Sequence, residues 1–245
     1  MAELRVENLS FARGEFQLHL NGVQIQSGEK VAILGENGSG KSTLLQLLCG
    51  VLQGKGSIDY SGRPLEKIPV NERARLFSLL PQFSEVIFPF SVEEVVLFGR
   101  FPHAQGNSFS AEDKKLSEQQ LVQLDLQHLR DRQFNELSGG EKRRVMLARV
   151  LNQQAPIIYL DEPNASLDIR HTLEIFELLG CRDETVISPV HDINLAERFF
   201  ERFLLLKQGT LLADVSRDQL TPELLTETYN VQVTRGTAAF TFAHQ

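Results

Sequence analysis

The 245-residue sequence has no tryptophan, three tyrosines and two cysteines, and no apolar run long enough to span a membrane. A bilayer-crossing helix needs about 20 consecutive apolar residues. The longest candidate, "FLLLKQGTLLA", is broken by Lys207 and Gly209. Any membrane role therefore has to run through a partner. The amino terminus, "MAELRVENLSF", lacks the apolar core of a secretory signal. Cys49 and Cys181 accordingly read as two buried thiols in a reducing compartment, not as a disulfide. Basic charge is also short: 25 Lys and Arg stand against 32 Asp and Glu, a net charge of −7. A nucleic-acid binder would carry a basic stripe, so nucleic acid is not an expected partner. The densest basic cluster, Lys142-Arg143-Arg144, falls in an amphipathic helical pattern and reads as a solvated helix face.

What is present is an alternation of buried strands and helices. Short β-type runs open the chain at 4–11, 16–20 and 23–25, with Gly14, Gly22 and Gly28 between them, and suggest a small antiparallel layer. "KVAIL" (30–34) is fully apolar, as strands of a parallel sheet are. Further buried strands are predicted at 76–80, 156–160, 185–190 and 202–206, with helical patterns between most of them. The stretch from about Phe83 to Asn152 carries helical patterns at 91–98, 111–124 and 141–153 and no convincing strand. The expectation is one α/β domain over 1–245, with a core of 1–82 and 153–245 and a helical subdomain inserted at about 83–152.

Gly35-Glu36-Asn37-Gly38-Ser39-Gly40-Lys41-Ser42, followed by Thr43, fits G-x-x-x-x-G-K-[ST] between a strand and a helix. Glycines let backbone N–H groups converge on phosphate oxygens, and the helix N-terminus adds positive partial charge. In this motif Lys41 reaches the β- and γ-phosphates and the Ser42 hydroxyl ligates Mg²⁺. The competing reading is an ordinary Gly-rich turn ahead of a helix, which the strand and helix on either side argue against. "IIYLDEP" (157–163) ends a buried strand in two acids. Asp161 is placed to hold Mg²⁺, directly or through water, and Glu162 to polarise an attacking water. A plain Asp-Glu-Pro turn is the alternative, weakened by the phosphate loop elsewhere in the chain.

"LSGGEKRRVMLARVL" (137–151) adds a second anion site. Ser138 and Glu141 form a capping box ahead of an apolar-periodic run. Gly139 and Gly140 weaken the start of the helix by up to about 1 kcal/mol each relative to Ala. Their use is to bring a helix N-terminus and bare amides against an anion. "LSGGE", "GENGSGKST" and "LDEP" together make the chain resemble the nucleotide-binding subunits of ABC transporters, along essentially its whole length. The resemblance implies ATP as the nucleotide and two identical copies sharing two sites, each site closed by Ser138, Gly139 and Gly140 of the other copy. It also implies that Gln82 in "LLPQF" touches the metal–water system and the membrane subunit, that Asp168 in "ASLD" faces the partner's site, and that His191 contacts the γ-phosphate. Read alone, His191 would be a core or cap histidine, with Asp192 as the helix N-cap.

Within that family, "FPFSVEEVVLFGRFPH" (88–103) and the stretch from Leu205 to Val231 resemble the ATPases that serve importers of ferric siderophores, haem and vitamin B12. The implied partners are integral-membrane permease subunits and, indirectly, a periplasmic or lipoprotein solute-binding protein. The implied location is peripheral, on the cytoplasmic face of the inner membrane. A soluble ABC ATPase of translation or DNA repair is the rival from another class, but those carry paired cassettes or long arms that this chain lacks. Import of another metal or of an oxyanion is the alternative within transport. A regulatory subunit with degenerate catalysis is opposed by intact Lys41, Asp161 and Glu162. Three positions depart from the pattern. Arg13 stands where many members stack an aromatic on adenine; a guanidinium can also stack, and Phe11 or Phe16 could substitute. Asn164 replaces a common Thr. Pro189 lies two residues before His191, where it costs a ladder hydrogen bond unless its nitrogen faces an edge or bulge, and where it stands to displace His191.

Overall fold

The computed structural model describes residues 3–82, 88–104, 106, 108–236 and 239–243. In chain order the elements are β1 (Leu4–Arg13), β2 (Phe16–Ile25), β3 (Lys30–Leu34), α1 (Lys41–Leu48), β4 (Lys55–Tyr60) and β5 (Arg63–Pro64). Next come α2 (Val70–Leu76), β6 (Phe77–Leu80), α3 (Val92–Leu97), α4 (Ala111–Gln123), α5 (Gly139–Asn152), β7 (Ile157–Leu160) and α6 (Ile169–Gly180). The chain closes with β8 (Thr185–Pro189), α7 (Ile193–Phe199), β9 (Arg202–Lys207), β10 (Thr210–Ser216), α8 (Pro222–Tyr229), β11 (Gln232–Arg235) and β12 (Phe240–Ala243). These elements fall into two compact units, Met1–Ile68 with Arg182–Gln245, and Pro69–Cys181. The α/β class expected from the sequence is the one found. Phe83, where the helical stretch was expected to open, lies outside the described residues.

In the first unit the strand order is β5-β4-β1-β2-β10-β9-β3-β8. Period-two alternation builds the antiparallel β1–β2 hairpin, paired from Leu4↔Ile25 to Arg13↔Phe16. The alternation changes phase at Asn8 (φ 48°), so that Leu4 and Val6 before it and Leu9 after it are all buried. The ladder to β4 slips at the same place, between Glu7 and Ser10; this is a β-bulge that turns Leu9 inward. The sequence pattern had split β2 at Gly22, but Gly22 pairs with Glu7 and the strand runs through. β3 runs parallel to both β8 and β9. Val31, Ala32, Ile33 and Leu34 are all fully buried, which is why no polar residue interrupts them.

In the second unit β6 and β7 pair in parallel, and α3, α4 and α5 pack on one another. The motif at 88–103 has a structural reading here. Arg100 donates to the Asn152 carbonyl and to Gln154 Oε1, both at 2.8 Å, and to Asp113 at 2.9 Å, while His103 Nε2 meets the Gln153 carbonyl at 2.9 Å. These groups donate to carbonyls at the C-terminal end of α5, where the Arg100 charge also complements the helix dipole.

Two expectations need correction. Cys181 is exposed and Cys49 only half-buried, although both are free thiols as expected. Each occupies the C-cap of a helix, α6 and α1 respectively. Lys142-Arg143-Arg144 is not a solvated face: Arg143 and Arg144 are buried on α5. Among the described residues no helix is long and apolar enough to cross a membrane.

Burial pushes the Cys49 thiol up to about 11, so at neutral pH Cys181 should take a maleimide or iodoacetamide label first and Cys49 should lag. Mass spectrometry of partially labelled protein checks this order. The Ser110 hydroxyl, followed by Arg100, holds the Asp113 carboxyl down at about 2. Its stabilising effect is therefore complete above the unfolded value of 3.8 and is lost as pH falls toward 2. Acid unfolding of Asp113→Asn, followed by circular dichroism, should be less stable than the parent at pH 6 and should converge with it near pH 2.

Candidate active site

The phosphate loop is built entirely within the first unit. β3 delivers Gly35 with φ 149°, Gly38 with φ 80° and Gly40 with φ 104°, conformations that side-chain-bearing residues rarely adopt. At Gly35 a Cβ would also collide with the Leu206 carbonyl. Gly40 is the N-cap of α1 and offers no side-chain cap, so the first amides of the helix are left to another acceptor. Lys41 is buried; its Nζ donates to the Gly35 carbonyl at 2.8 Å and the Glu36 carbonyl at 3.0 Å, bending the side chain back over the loop. Ser39 Oγ is buried in the same loop without a protein partner. Buried polar atoms are nearly always bonded, so this hydroxyl fits a site whose remaining acceptor is a ligand. Asn37 and Gly38 are exposed on the loop, and Ser42 and Thr43 are half-buried in the first turn of α1.

One group on the loop was invisible in the sequence. The Gly35 N–H donates to the Tyr229 hydroxyl of α8 at 3.0 Å across 194 residues. Asn230 reaches Glu36 at 3.4 Å, and Lys207 holds α8 through the Glu227 carbonyl at 2.5 Å and Asn230 at 2.9 Å. No local pattern signals a contact of that span.

Arg13 is exposed at the end of β1 and pairs with Phe16 across the hairpin, so the two share a face. Phe16 lies closest to the loop: a Cβ placed on Gly40 would stand 2.8 Å from its ring and 3.1 Å from Leu18. His191 is exposed immediately after β8, and Asp192 caps α7 by accepting the Leu195 N–H at 3.0 Å. Pro189 does not break the β3–β8 ladder. Val186 donates to Glu29 and Val190 to Ile33, at 3.0 and 3.2 Å, so the proline nitrogen points away from β3.

The remaining candidates lie in the second unit. β7 is wholly buried and carries Asp161, also buried, and half-buried Glu162 past its end. Glu162 has φ 53°, in the left-handed region. Ser138 caps α5 in a complete capping box: it donates to Glu141 Oε2 from its N–H at 2.7 Å and its hydroxyl at 2.6 Å, and accepts the Glu141 N–H. The Ser138 hydroxyl holds the Glu141 carboxyl below its ordinary value. The amides the box leaves unused are therefore those of exposed Gly139 and half-buried Gly140. Gly140 packs so close that a Cβ would stand 3.0 Å from the Ser166 carbonyl, which joins the start of α5 to the 165–168 turn. Asp168 is exposed and caps α6, accepting from the His171 N–H at 2.8 Å. Gln82 is exposed, and its backbone carbonyl receives Arg143 at 3.4 Å.

A glycine cradle with an inward lysine, together with an acid pair at a strand end, defines a P-loop ATPase. The chain belongs to the ABC transporter family, whose profile matches residues 18–165. It is 42% identical over 241 residues to the hemin import ATP-binding protein HmuV of Pseudomonas putida, covering 94% of this chain and 93% of that protein. Against HmuV of Vibrio cholerae it is 39% identical over 220 residues, 86% of this chain and 84% of that one. Among solved structures, an inward-facing transporter assigned to the metal-chelate type aligns at TM-score 0.81 and 28% identity, over 99% of this chain and 96% of that one. The dimeric post-hydrolysis cassette MJ0796, bound to ADP and Pi, aligns at TM-score 0.75 and 27% identity, over 87% and 98%.

Removing the Tyr229 hydroxyl leaves the buried Gly35 N–H without its acceptor, a loss of about 1.4 kcal/mol or more. Tyr229→Phe should thus weaken binding of a fluorescent ATP analogue roughly tenfold while the fold persists. Affinity equal to the parent's in a titration would show that the contact does not shape the loop.

Proposed function

We propose that this chain is the ATP-hydrolysing subunit of an ABC importer, acting as a pair of identical copies that drive uptake of an iron chelate, haem or a siderophore, or of cobalamin. The permease is supplied by integral-membrane subunits, which hold this chain at the cytoplasmic face of the inner membrane. Solute reaches them from a periplasmic or lipoprotein binding protein. The observation that carries this reading is the second anion-ready helix end. The phosphate loop already opens α1, yet Ser138 and Gly139 also present the N-terminus of α5 to solvent. Such an end needs an anion from outside its own loop, and the γ-phosphate held by a second copy supplies one. The dimeric MJ0796 cassette supports the pairing. The HmuV relatives support haem among the possible cargoes, and the net charge of −7 argues against nucleic acid.

In this mechanism the β- and γ-phosphate oxygens replace the Gly35 and Glu36 carbonyls as acceptors for Lys41. Amides of 37–43 and the Ser39 hydroxyl bond the phosphate tail, while Arg13 and Phe16 flank the base. Ser42, Asp161 and Gln82 offer oxygen donors only, the hard set that Mg²⁺ prefers. Held by these residues, Mg²⁺ would supply charge neutralisation to the nucleotide's phosphates. Glu162 orients and polarises the water that attacks the γ-phosphorus in line, with ADP as the leaving group. His191 bonds the γ-phosphate, and Asp168 faces the partner copy's site. Gly139 and Gly140 of that copy close over the γ-phosphate, and their hold is lost once it leaves. Closure and reopening are rigid-body movements that a permease can follow.

Glu162→Gln keeps the shape of the site and removes the base. It should bind ATP as the parent does, lose about a hundredfold or more in turnover, and elute as a dimer on size exclusion with ATP. Parent-like phosphate release would refute the role given to Glu162. The importer assignment has its own check: the reading frames flanking the gene should encode a multi-span permease and a solute-binding protein.

A further inference from the structure

Arg143 looks from the sequence like surface charge, but it is only 7% exposed and lies four residues into α5. Its guanidinium donates to four backbone carbonyls on two separate segments. Nη1 reaches Pro81 at 2.7 Å and Gln82 at 3.4 Å. Nη2 reaches Asp161 and, at 2.6 Å, Glu162. All four acceptors are backbone carbonyls, and the Asp161 and Glu162 carboxylates add electrostatic attraction to the same guanidinium.

The geometry needs a planar fork. Each terminal nitrogen spans two consecutive carbonyls, which a lysine ammonium, a single point with rotatable donors, cannot match. The bonds also fall where the backbone is hardest to hold. Glu162 has φ 53°, a conformation disfavoured for a residue with a side chain. Its carbonyl is fixed by Arg143 and by the Ala165 N–H at 3.0 Å. A few residues on, the 165–168 turn packs on Gly140, with Ser166 at φ 66°. The acid pair is thus tied to α5 at two places, through Arg143 and through the Gly140–Ser166 contact.

We infer that Arg143 is a positioning residue for ATP hydrolysis: from the start of α5 it holds the backbone carbonyls of Asp161 and Glu162 against those of Pro81 and Gln82, and so fixes where the acid pair points. The inference rests on the proposed roles of Asp161 and Glu162.

The test uses the full-length chain with Arg143→Gln and Arg143→Lys. The glutamine variant should bind ATP with unchanged affinity, need more Mg²⁺ for half-maximal turnover, and lose on the order of a hundredfold in kcat, the penalty of a small misplacement of catalytic groups. Lysine should restore part of that loss. In parallel, amide hydrogen exchange should quicken across 161–168 in the glutamine variant while the 35–43 loop keeps its parental protection. Exchange is read without turnover, so it separates failure of this inference from failure of the ATPase roles. Parental kcat together with parental exchange at 161–168 would overturn the inference. Failure of both variants to fold would overturn it too, since Arg143 would then be holding the unit together and not aligning its acids.

Discussion

An anion can be held by a helix end only if the first amides of that helix have not been claimed by a neighbouring acceptor. Two helices here, α1 and α5, meet that condition in different ways. α1 begins with a left-handed glycine and no side-chain cap, and the lysine that follows is bent back over its own loop. α5 has a full capping box, but the box uses the Ser138 hydroxyl and the Ser138 and Glu141 amides and leaves those of Gly139 and Gly140 pointing out. Both ends are poor helix starts by propensity, and both are made rigid from elsewhere in the chain.

The rigidity comes mostly from cations bonded to carbonyl oxygens. Lys30 Nζ gathers the Gly28, Arg182 and Glu184 carbonyls at 2.8–2.9 Å beside the strand that feeds the phosphate loop. Arg100 does the same for the C-terminal end of α5, and Arg143 for the acid pair. A buried cation would be costly alone; surrounded by carbonyl dipoles it replaces its lost hydration and fixes several backbone segments at once. α5 is accordingly held at its C-terminal end by Arg100 and His103, near its start by Arg143, and at its N-terminus by the contact between Gly140 and Ser166.

What the sequence revealed and what it hid divide along the same line. The phosphate loop, the acid pair, the Ser138 capping box and the Asp192 cap were legible because each is local: a few residues whose spacing states their own geometry. Buried runs such as Val31–Leu34 announced parallel strands. Arg143 was misread because a triplet of basic residues suggests solvent, although the helical period sets it on the same stripe as Met146, Leu147 and Val150, all buried. That period was the available signal. The bulge at Asn8 and the continuation of β2 through Gly22 depend on which strand lies alongside, and Tyr229 meets Gly35 only because β9 and α8 return the chain to β3. Such facts exist in the pairing and not in any window of sequence.

The Tyr229 contact also orders events during synthesis. The phosphate loop leaves the ribosome well before the hydroxyl that secures its opening glycine, which is made 194 residues later. A nascent chain can therefore display every residue of its nucleotide motif and still lack the fastener that shapes it. Competence to capture fuel therefore waits on that later stretch of chain.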